Sequence, residues 1–403
     1  MKILCIVQRY YPVIGGAENL MKSIMDYLSK NHEVTVYTTT AKDIEAFWDP
    51  TAETINEENL LNYPLKRFKI ATPTEIKFDN DINSFYIASS HPGPFCPGLW
   101  QELVFKKIDY DLIIAASYPY DHIIPAYVAA KKWNIPLIIY PMIHQEFVEL
   151  FLNSIKLTML ENSNAVIVNT LSEKRILVEL GITENKISQN YPITHTIEIN
   201  QSDPESFRKE FLPKQDANMV LFAGSKSMVK GIIHLIESMK EVWNKIPNTY
   251  LVMMGPSTKE FDNYFRKLST KTKSKIIDLG TANEQTKKNA FAACDVFTLP
   301  SKSESFGIVY VEAWTFEKPV IGCNIISTCE VIDDKTNGLL VEFGNIKQLS
   351  KSIEFLLENP SIREEYGKQG KKKALSYTSK DNLKSFEEKC FTVVESFKNM
   401  KSL

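Results

Sequence analysis

Pro300-Ser-Lys-Ser-Glu304-Ser-Phe-Gly307-Ile-Val-Tyr-Val-Glu312-Ala-Trp314 predicts a strand-to-helix junction that carries two carboxylates. The preceding residues, Cys294 to Leu299, indicate a short buried strand, and from about Gly307 onward the sequence is compatible with a helix. The first amides of that helix would have no partners within it, and with the helix dipole they favour a bound anion. At about 1.5 Å per residue, Glu312 would lie roughly 9 Å along the helix, while Glu304 stays in the preceding loop.

This arrangement suits a ligand that has a diphosphate at its centre and hydroxyl groups on both sides. In a nucleoside diphosphate sugar, one glutamate could accept from the ribose diol and the other from the sugar ring. The simpler alternative is that Glu304 and Glu312 only favour the first turns of a surface helix. The surrounding Pro-Ser, Phe-Gly and Glu-Ala-Trp residues favour the binding site.

At these residues the chain resembles the retaining family 4 glycosyltransferases of the GT-B fold. The signature of that family is Pro-Ser-x-x-Glu-x-Phe-Gly, with a second Glu eight positions after the first. The similarity continues through Lys318–Gly322 and Asn337–Val341, and near the amino terminus through Tyr11–Glu18. It runs over most of the chain and is weakest between residues 40 and 105.

The resemblance implies a metal-independent transfer of sugar from a nucleoside diphosphate donor, with retention of anomeric configuration. It places the Glu304 side chain near the donor sugar and the Glu312 side chain on the ribose. The implied catalytic residues are Glu304, His144 and Lys230. The implied donor-binding residues are Gly15, Gly16, Gly224, Ser225, Lys226, Lys230, Glu304, Ser305, Phe306, Gly307, Ile308 and Glu312, with the backbone amides of 306 to 308 facing the diphosphate.

A second loop, Gly224 to Gly231, follows a predicted strand and precedes a predicted helix. Its Lys230 is the candidate for neutralising the leaving diphosphate. The family usually has Arg directly after the first glycine, where this chain has Ser225. Either Lys226 substitutes, without the planar fork of Arg, or the phosphate is bound more weakly and the donor is held differently.

Near the amino terminus, Gly15 and Gly16 join the first predicted strand to a helix. Two adjacent glycines allow the backbone to approach a phosphate or an acceptor closely, although a tight turn alone would also explain them. Glu18 is either a carboxylate stabilised by the helix dipole or an acceptor ligand.

His144 lies just past the carboxyl end of a predicted strand and resembles the family's histidine that faces the donor sugar or phosphate. Ser117 and His122 flank the end of the preceding strand and are weaker candidates for the acceptor side. Two Asp-x-Asp triplets, Asp109–Asp111 and Asp79–Asp81, need weighing as metal motifs. The first precedes a strand, at the sheet edge opposite the expected ligand, and the second lies in an unassigned polar loop, so no metal is predicted.

The composition is that of an ordinary globular protein with 403 residues, 44% hydrophobic and 24% charged, which can bury the cores of two domains. The net charge of −2 argues against nucleic-acid binding. The amino-terminal apolar run is too short for a signal peptide, and no segment approaches the roughly 18 apolar residues of a membrane span. We therefore expect a cytoplasmic protein, with peripheral contact at the inner face of the membrane left open.

Apolar β-rich runs alternate with helical segments in both halves of the chain, which predicts an α/β protein with two facing Rossmann-like, doubly wound domains and a cleft between them. The predicted domains are residues 1–195, an acceptor-side domain joined by a terminal helix at about 380–403, and residues 205–375, the nucleotide-sugar domain. Two irregular stretches, 41–64 and 91–98, are assigned to the acceptor side.

The resulting hypothesis is a glycosyltransferase that moves a sugar from a UDP- or GDP-sugar to a hydroxyl of a carbohydrate, lipid-linked or small-molecule acceptor, without any required cofactor. One alternative is a nucleotide-sugar-binding protein or partner subunit without transferase activity, because Ser225 replaces the usual Arg. Another is a related GT-B enzyme of the sugar-phosphate synthase type.

Overall fold

The computed structural model describes residues 1–13, 15–43, 45–47, 54–55, 61–71, 93–144, 154–192, 201–378 and 380–401. The chain divides into two compact units. The first comprises Met1–Ile193 together with Lys380–Leu403, and the second comprises Thr194–Ser379.

The first unit is built on a seven-stranded parallel sheet in the order β3-β2-β1-β4-β5-β6-β7. Its strands are β1 (Lys2–Val7), β2 (Glu33–Thr39), β3 (Leu65–Phe68), β4 (Leu112–Ala116), β5 (Leu137–Tyr140), β6 (Ala165–Val168) and β7 (Ile187–Gln189). Its helices are α1 (Gly16–Leu28), α2 (Pro97–Trp100), α3 (Ile123–Trp133), α4 (Ser154–Glu161) and α5 (Leu171–Glu179). The central strands β1 and β4 are buried on both faces, as parallel strands covered by helices must be.

The last helix of the chain packs on this first unit and belongs to it. The Phe386 ring stacks on the Tyr140 ring with centroids 6.2 Å apart. The Glu387 carboxylate lies 2.9 Å from Nε2 of His32. The predicted terminal helix therefore contacts the first sheet of the chain through apolar and polar groups.

The second unit contains a six-stranded parallel sheet in the order β10-β9-β8-β11-β12-β13. Its strands are β8 (Asn218–Ala223), β9 (Thr249–Met254), β10 (Ile276–Asp278), β11 (Val296–Leu299), β12 (Val320–Cys323) and β13 (Gly338–Val341). Its helices are α6 (Pro204–Phe211), α7 (Ile232–Lys245), α8 (Lys259–Arg266), α9 (Thr270–Lys273), α10 (Glu284–Ala293), α11 (Ile308–Thr315), α12 (Ile326–Val331), α13 (Ile346–Glu358) and α14 (Pro360–Thr378). The terminal helix of the first unit is α15 (Lys380–Lys401).

The prediction of two doubly wound parallel sheets is confirmed, and the strand predicted to end at Leu299 is present as β11. The strand β7 was not predicted, because its three residues at the sheet edge include one apolar side chain. Half of the first stretch assigned to the acceptor side lies outside the described residues, whereas residues 93–98 of the second stretch are described and include the buried Phe95 and Cys96. Among the described helices, none is both long enough and apolar enough to cross a membrane.

Candidate functional site

The junction between β11 and α11 has the form that the sequence predicts. Gly307 is the N-cap of α11 with a φ of 87°, and its position supplies no side-chain hydrogen bond to the first-turn amides. A Cβ at this position would lie 2.5 Å from Cδ2 of Tyr310, whose hydroxyl donates to the carbonyl of Leu299 at 2.7 Å. The left-handed cap and the close tyrosine both require glycine. The junction therefore keeps an uncapped helix start at the carboxyl end of β11.

The loop that follows β8 packs directly on the loop that follows β11. The amide of Lys302 donates to the carbonyl of Val229 at 2.7 Å. Gly231 has a φ of 71°, and a Cβ there would lie 2.1 Å from the carbonyl oxygen of Pro300. Since β8 and β11 are neighbours in a parallel sheet, their carboxyl ends bring both loops to one edge.

This packing places Lys230 against Glu304. The Lys230 ammonium lies 2.6 Å from Oε1 of Glu304, and the hydroxyl of Ser301 donates to the same oxygen at 2.7 Å. Glu304 is only 7% exposed, and these two donors compensate for the burial of its carboxylate. An ammonium has three N–H donors, and Lys230 can therefore hold Glu304 and still donate to an anion.

Glu312, one turn into α11, is paired with Lys287 of α10 at 2.6 Å through Oε1. The other oxygen, Oε2, is buried and has no hydrogen-bond partner among the described residues. Burial of Lys287 opposes its charge, but the carboxylates of Glu312 and Glu284 outweigh burial and raise the pKa of Lys287. Oε2 can therefore accept a hydrogen bond from a hydroxyl or an amide.

Lys226, the candidate to replace the missing arginine, is paired with a carboxylate of its own unit. Its amide donates to the carbonyl of Pro256 at 2.8 Å, and its side chain is 2% exposed. The ammonium donates to both oxygens of Asp278 at 2.6 and 2.7 Å. A diphosphate would have to compete with this pair, so the geometry gives no support to donor binding by Lys226. Ser225 lies near Ser227, with hydroxyl oxygens 3.4 Å apart.

The remaining donor candidates of the second unit lie in the same two loops. The Phe306 ring is 2% exposed and meets the Tyr377 ring edge-on at 5.2 Å, so this side chain is part of the core. Any part that Phe306 has in donor binding falls to its backbone amide. Ser305 is half-buried, and Gly224 follows β8 directly.

In the first unit, Gly15 is the N-cap of α1 and Gly16 is its first residue. The Glu18 carboxylate lies against the start of this helix. A Cβ on Gly15 would be only 2.2 Å from it, so a side chain at position 15 would displace the carboxylate. The carboxylate, 2% exposed, also lies 2.7 Å from the guanidinium of Arg9. This geometry favours a carboxylate that stabilises the helix start over one that binds an acceptor.

His144 follows β5 and is half-buried, four residues beyond Tyr140. Ser117 follows β4 with a φ of 71°, and its amide donates to the carbonyl of Tyr140 at 2.9 Å. The two candidates therefore lie on neighbouring loops at the carboxyl edge of the first sheet.

His122 lies near these loops but is buried, with 1% of its surface exposed. Its Nε2 lies 2.6 Å from the carbonyl oxygen of Ala116, to which it donates in the neutral form. Burial lowers the pKa of His122 to about 3, and the nearby Lys156 contributes to the decrease. The predicted acceptor role has no support from this geometry.

The burial of His122 predicts a loss of stability in acid. The pKa is lowered by folding from 6.5 to about 3, so the stabilisation by the neutral ring is complete above about 6.5 and is lost as the pH falls toward 3. We expect this histidine to contribute a fall of up to about 1.4 kcal/mol per pH unit to the free energy of unfolding in this range. Urea titrations from pH 4 to 7 should therefore show that the wild type loses stability relative to His122→Gln as the pH falls. A stability difference between the two proteins that does not change with pH would contradict the lowered pKa of His122.

Asp109 and Asp111 lie at the amino end of β4, away from the carboxyl edge. The Lys2 ammonium contacts Asp109 at 2.7 Å, and the Lys2 amide donates to Asp111 at 2.8 Å. Both carboxylates thus hold the start of β1. The triplet 79–81 lies outside the described residues.

Lys287 and Glu173 are residues of interest that the sequence interpretation missed. Lys287 lies three and four positions before the buried Ala290 and Phe291, which places it on the apolar face of α10. A lysine in an apolar pattern was the signal in the sequence for a buried, paired charge. Glu173 follows Thr170 by three positions, which is the pattern of a capping box.

Two family models match the chain, one in each half. The model of the glycosyl transferases group 1 matches residues 203–373. The model of Glycosyltransferase Family 4 matches residues 14–192. Together the two matches include both loops of the second unit and the carboxyl edge of the first sheet.

Similar proteins include an uncharacterized glycosyltransferase of Methanocaldococcus jannaschii, 26% identical over 233 residues, which cover 56% of this chain and 59% of that protein. A capsular polysaccharide biosynthesis glycosyltransferase of Staphylococcus aureus is 26% identical over 227 residues, 54% of this chain and 58% of that protein. The matched region thus spans little more than half the length of these relatives.

Among solved structures, an Anabaena protein crystallised in complex with UDP and glucose has a TM-score of 0.73 and 18% identity. The alignment covers 100% of this chain and 99% of that one. Likeness at this level of identity establishes the fold.

Proposed function

This chain belongs to the family 4 glycosyltransferases of the GT-B fold, and we propose that it transfers a sugar from a nucleoside diphosphate donor to an acceptor hydroxyl with retention of configuration. The observation that carries this proposal is the contact of 2.6 Å between Lys230 and the buried Glu304, next to the uncapped start of α11. A cation and helix amides at one sheet edge are what a diphosphate needs.

In the proposed reaction the bond between the sugar C1 and the β-phosphate oxygen breaks, and the acceptor oxygen forms a new bond to C1 on the same face. The acceptor proton passes to the departing phosphate. Lys230 and the first amides of α11 stabilise the charge that develops on the diphosphate. Glu304 contacts the donor sugar, Glu312 accepts from the ribose through Oε2, and His144 faces the donor sugar or phosphate.

We propose retention of configuration from the family resemblance alone. The usual retaining mechanism needs a close pair of carboxylates, a nucleophile and an acid, whereas the two glutamates are proposed to serve opposite ends of the donor. No metal takes part in the proposed step, since Lys230 and the helix amides supply the positive field. The proposed location is the cytoplasm.

A UDP-sugar is the first donor to test. The similar Anabaena protein was crystallised in complex with UDP and glucose, and in a separate crystal with UDP-glucose. The acceptor belongs to the class of hydroxyl compounds, carbohydrate, lipid-linked or small.

A donor-binding protein without transferase activity is the second candidate. It is favoured by the Lys226–Asp278 pair, which withdraws one of the two lysines of the β8 loop from the diphosphate. Transfer would then lack part of its electrostatic stabilisation, while binding through Glu312 and the helix amides would persist.

A thermal-shift screen of UDP- and GDP-sugars, followed by a transfer assay with the selected donor, tests the proposal. We expect one nucleotide to raise the melting temperature, because a ligand that binds the folded state stabilises it. Stabilisation together with release of the nucleoside diphosphate in the presence of acceptors supports transfer. Stabilisation without release across a broad acceptor panel favours the second candidate, and no stabilisation by any nucleotide would contradict both.

A further inference from the structure

The carboxylate of Glu173 is joined to the loop that carries His144. Glu173 is 0% exposed and lies in the first turn of α5. Its Oε1 accepts from the backbone amide of Ile143 at 2.8 Å, and its Oε2 accepts from the amide of Asn169 at 2.8 Å. One side chain therefore connects the residues that follow β5 with those that follow β6.

The surroundings of Glu173 require an acceptor at both oxygens. Each oxygen accepts from one backbone N–H, of Ile143 or of Asn169. Burial raises the pKa of Glu173 to about 7, while hydrogen bonds from backbone amides favour the charged form. An amide side chain would present an NH₂ group to one of the two N–H donors, so it could not accept both hydrogen bonds.

The turn before His144 depends on this support. Met142 adopts a φ of 57°, which a residue with a side chain holds only where its surroundings fix it. On the side away from Glu173, the amide of Tyr118 donates to the carbonyl of Pro141 at 3.0 Å. The turn is therefore held by hydrogen bonds from two neighbouring loops. The hydrogen bond to Glu173 is made by Ile143, the residue directly before His144.

We propose that Glu173 is a positioning residue for His144: the carboxylate holds the turn that ends one residue before the imidazole and so sets the position of that ring in the reaction. The inference rests on the proposed function, which assigns His144 to the donor sugar or phosphate. Glu173 acts through the backbone and touches no substrate.

The variant Glu173→Gln keeps the shape of the side chain and replaces one acceptor oxygen with an NH₂ group. We expect kcat for transfer to fall about 10- to 100-fold, because a displacement of about 1 Å in a reacting group is enough for such a loss. The dissociation constant for UDP or GDP should stay within about twofold, since Lys230, Glu312 and the first amides of α11, which are proposed to hold the diphosphate and the ribose, lie in the second unit. The matched control is Glu179→Gln, an exposed glutamate on the same helix, which should leave kcat unchanged.

A double-mutant cycle with His144→Ala separates positioning from a general structural effect. If Glu173 acts through His144, the double variant is no slower than His144→Ala alone. Multiplying effects, or wild-type kcat in Glu173→Gln, would overturn the inference. Should Glu173→Gln fail to fold, Glu173→Asp carries the same test, because it keeps the charge but withdraws it from the amides. A wild-type chain without transfer activity would instead contradict the proposed function.

Discussion

Replacement of Lys230 by methionine is expected to lower kcat/KM for the nucleotide sugar by about 100- to 1000-fold. The lysine supplies the charge nearest to the buried Glu304, at 2.6 Å, and is proposed to stabilise the leaving diphosphate. Removal of one such preorganised group from a reaction centre has an effect of this size. The measurement is steady-state release of the nucleoside diphosphate at saturating acceptor.

The control for this variant is Lys240→Met, which removes a lysine of α7 from an ion pair with Glu237 at 2.7 Å. A partly exposed pair of this kind contributes little, so turnover should be unchanged. Turnover of Lys230→Met within about threefold of wild type would show that the diphosphate charge is stabilised elsewhere.

The second large effect is expected for Glu312→Gln, which should weaken binding of UDP or GDP about 10- to 100-fold. Hydrogen bonds to a charged acceptor contribute about 1.5–3 kcal/mol, and Oε2 of Glu312 is proposed to accept from the ribose. Isothermal titration calorimetry with the nucleoside diphosphate measures the loss without any need for an acceptor. Glu317→Gln, at an exposed pair with Lys371 in the same unit, is the matched control.

Deoxynucleotides show whether the loss occurs at the ribose. Lys287 occupies Oε1 of Glu312, so we expect Oε2 to accept from one of the two ribose hydroxyls. Either the 2′-deoxy or the 3′-deoxy nucleotide should then bind more weakly to the wild type, and that difference should shrink in Glu312→Gln. An equal difference in both proteins would place the ribose away from Glu312.

The sheets could be predicted because buried parallel strands form continuous apolar runs such as Leu112–Ala116. The start of α11 was also predictable, since the sequence is compatible with a helix from about Gly307 onward and the helix begins at Ile308. Short edge strands such as β7 carry too few apolar residues for the same argument.

The partners of the two glutamates could not be predicted, because they come from distant parts of the chain. Lys230 and Glu304 are 74 positions apart, and no local pattern decides that Lys230, and not Lys226, meets Glu304. In the fold, Lys226 forms an isolated β-bridge with Ser257, and its ammonium contacts Asp278. Lys230 lies four residues further along the same loop and contacts Glu304.

A crystal structure of the chain with bound UDP or GDP tests the central claim most directly. We predict a phosphate within hydrogen-bond distance of the Lys230 ammonium and of the first amides of α11, with a ribose hydroxyl donating to Oε2 of Glu312. A nucleotide bound with its phosphates away from the start of α11, or with its ribose away from Glu312, would contradict the account.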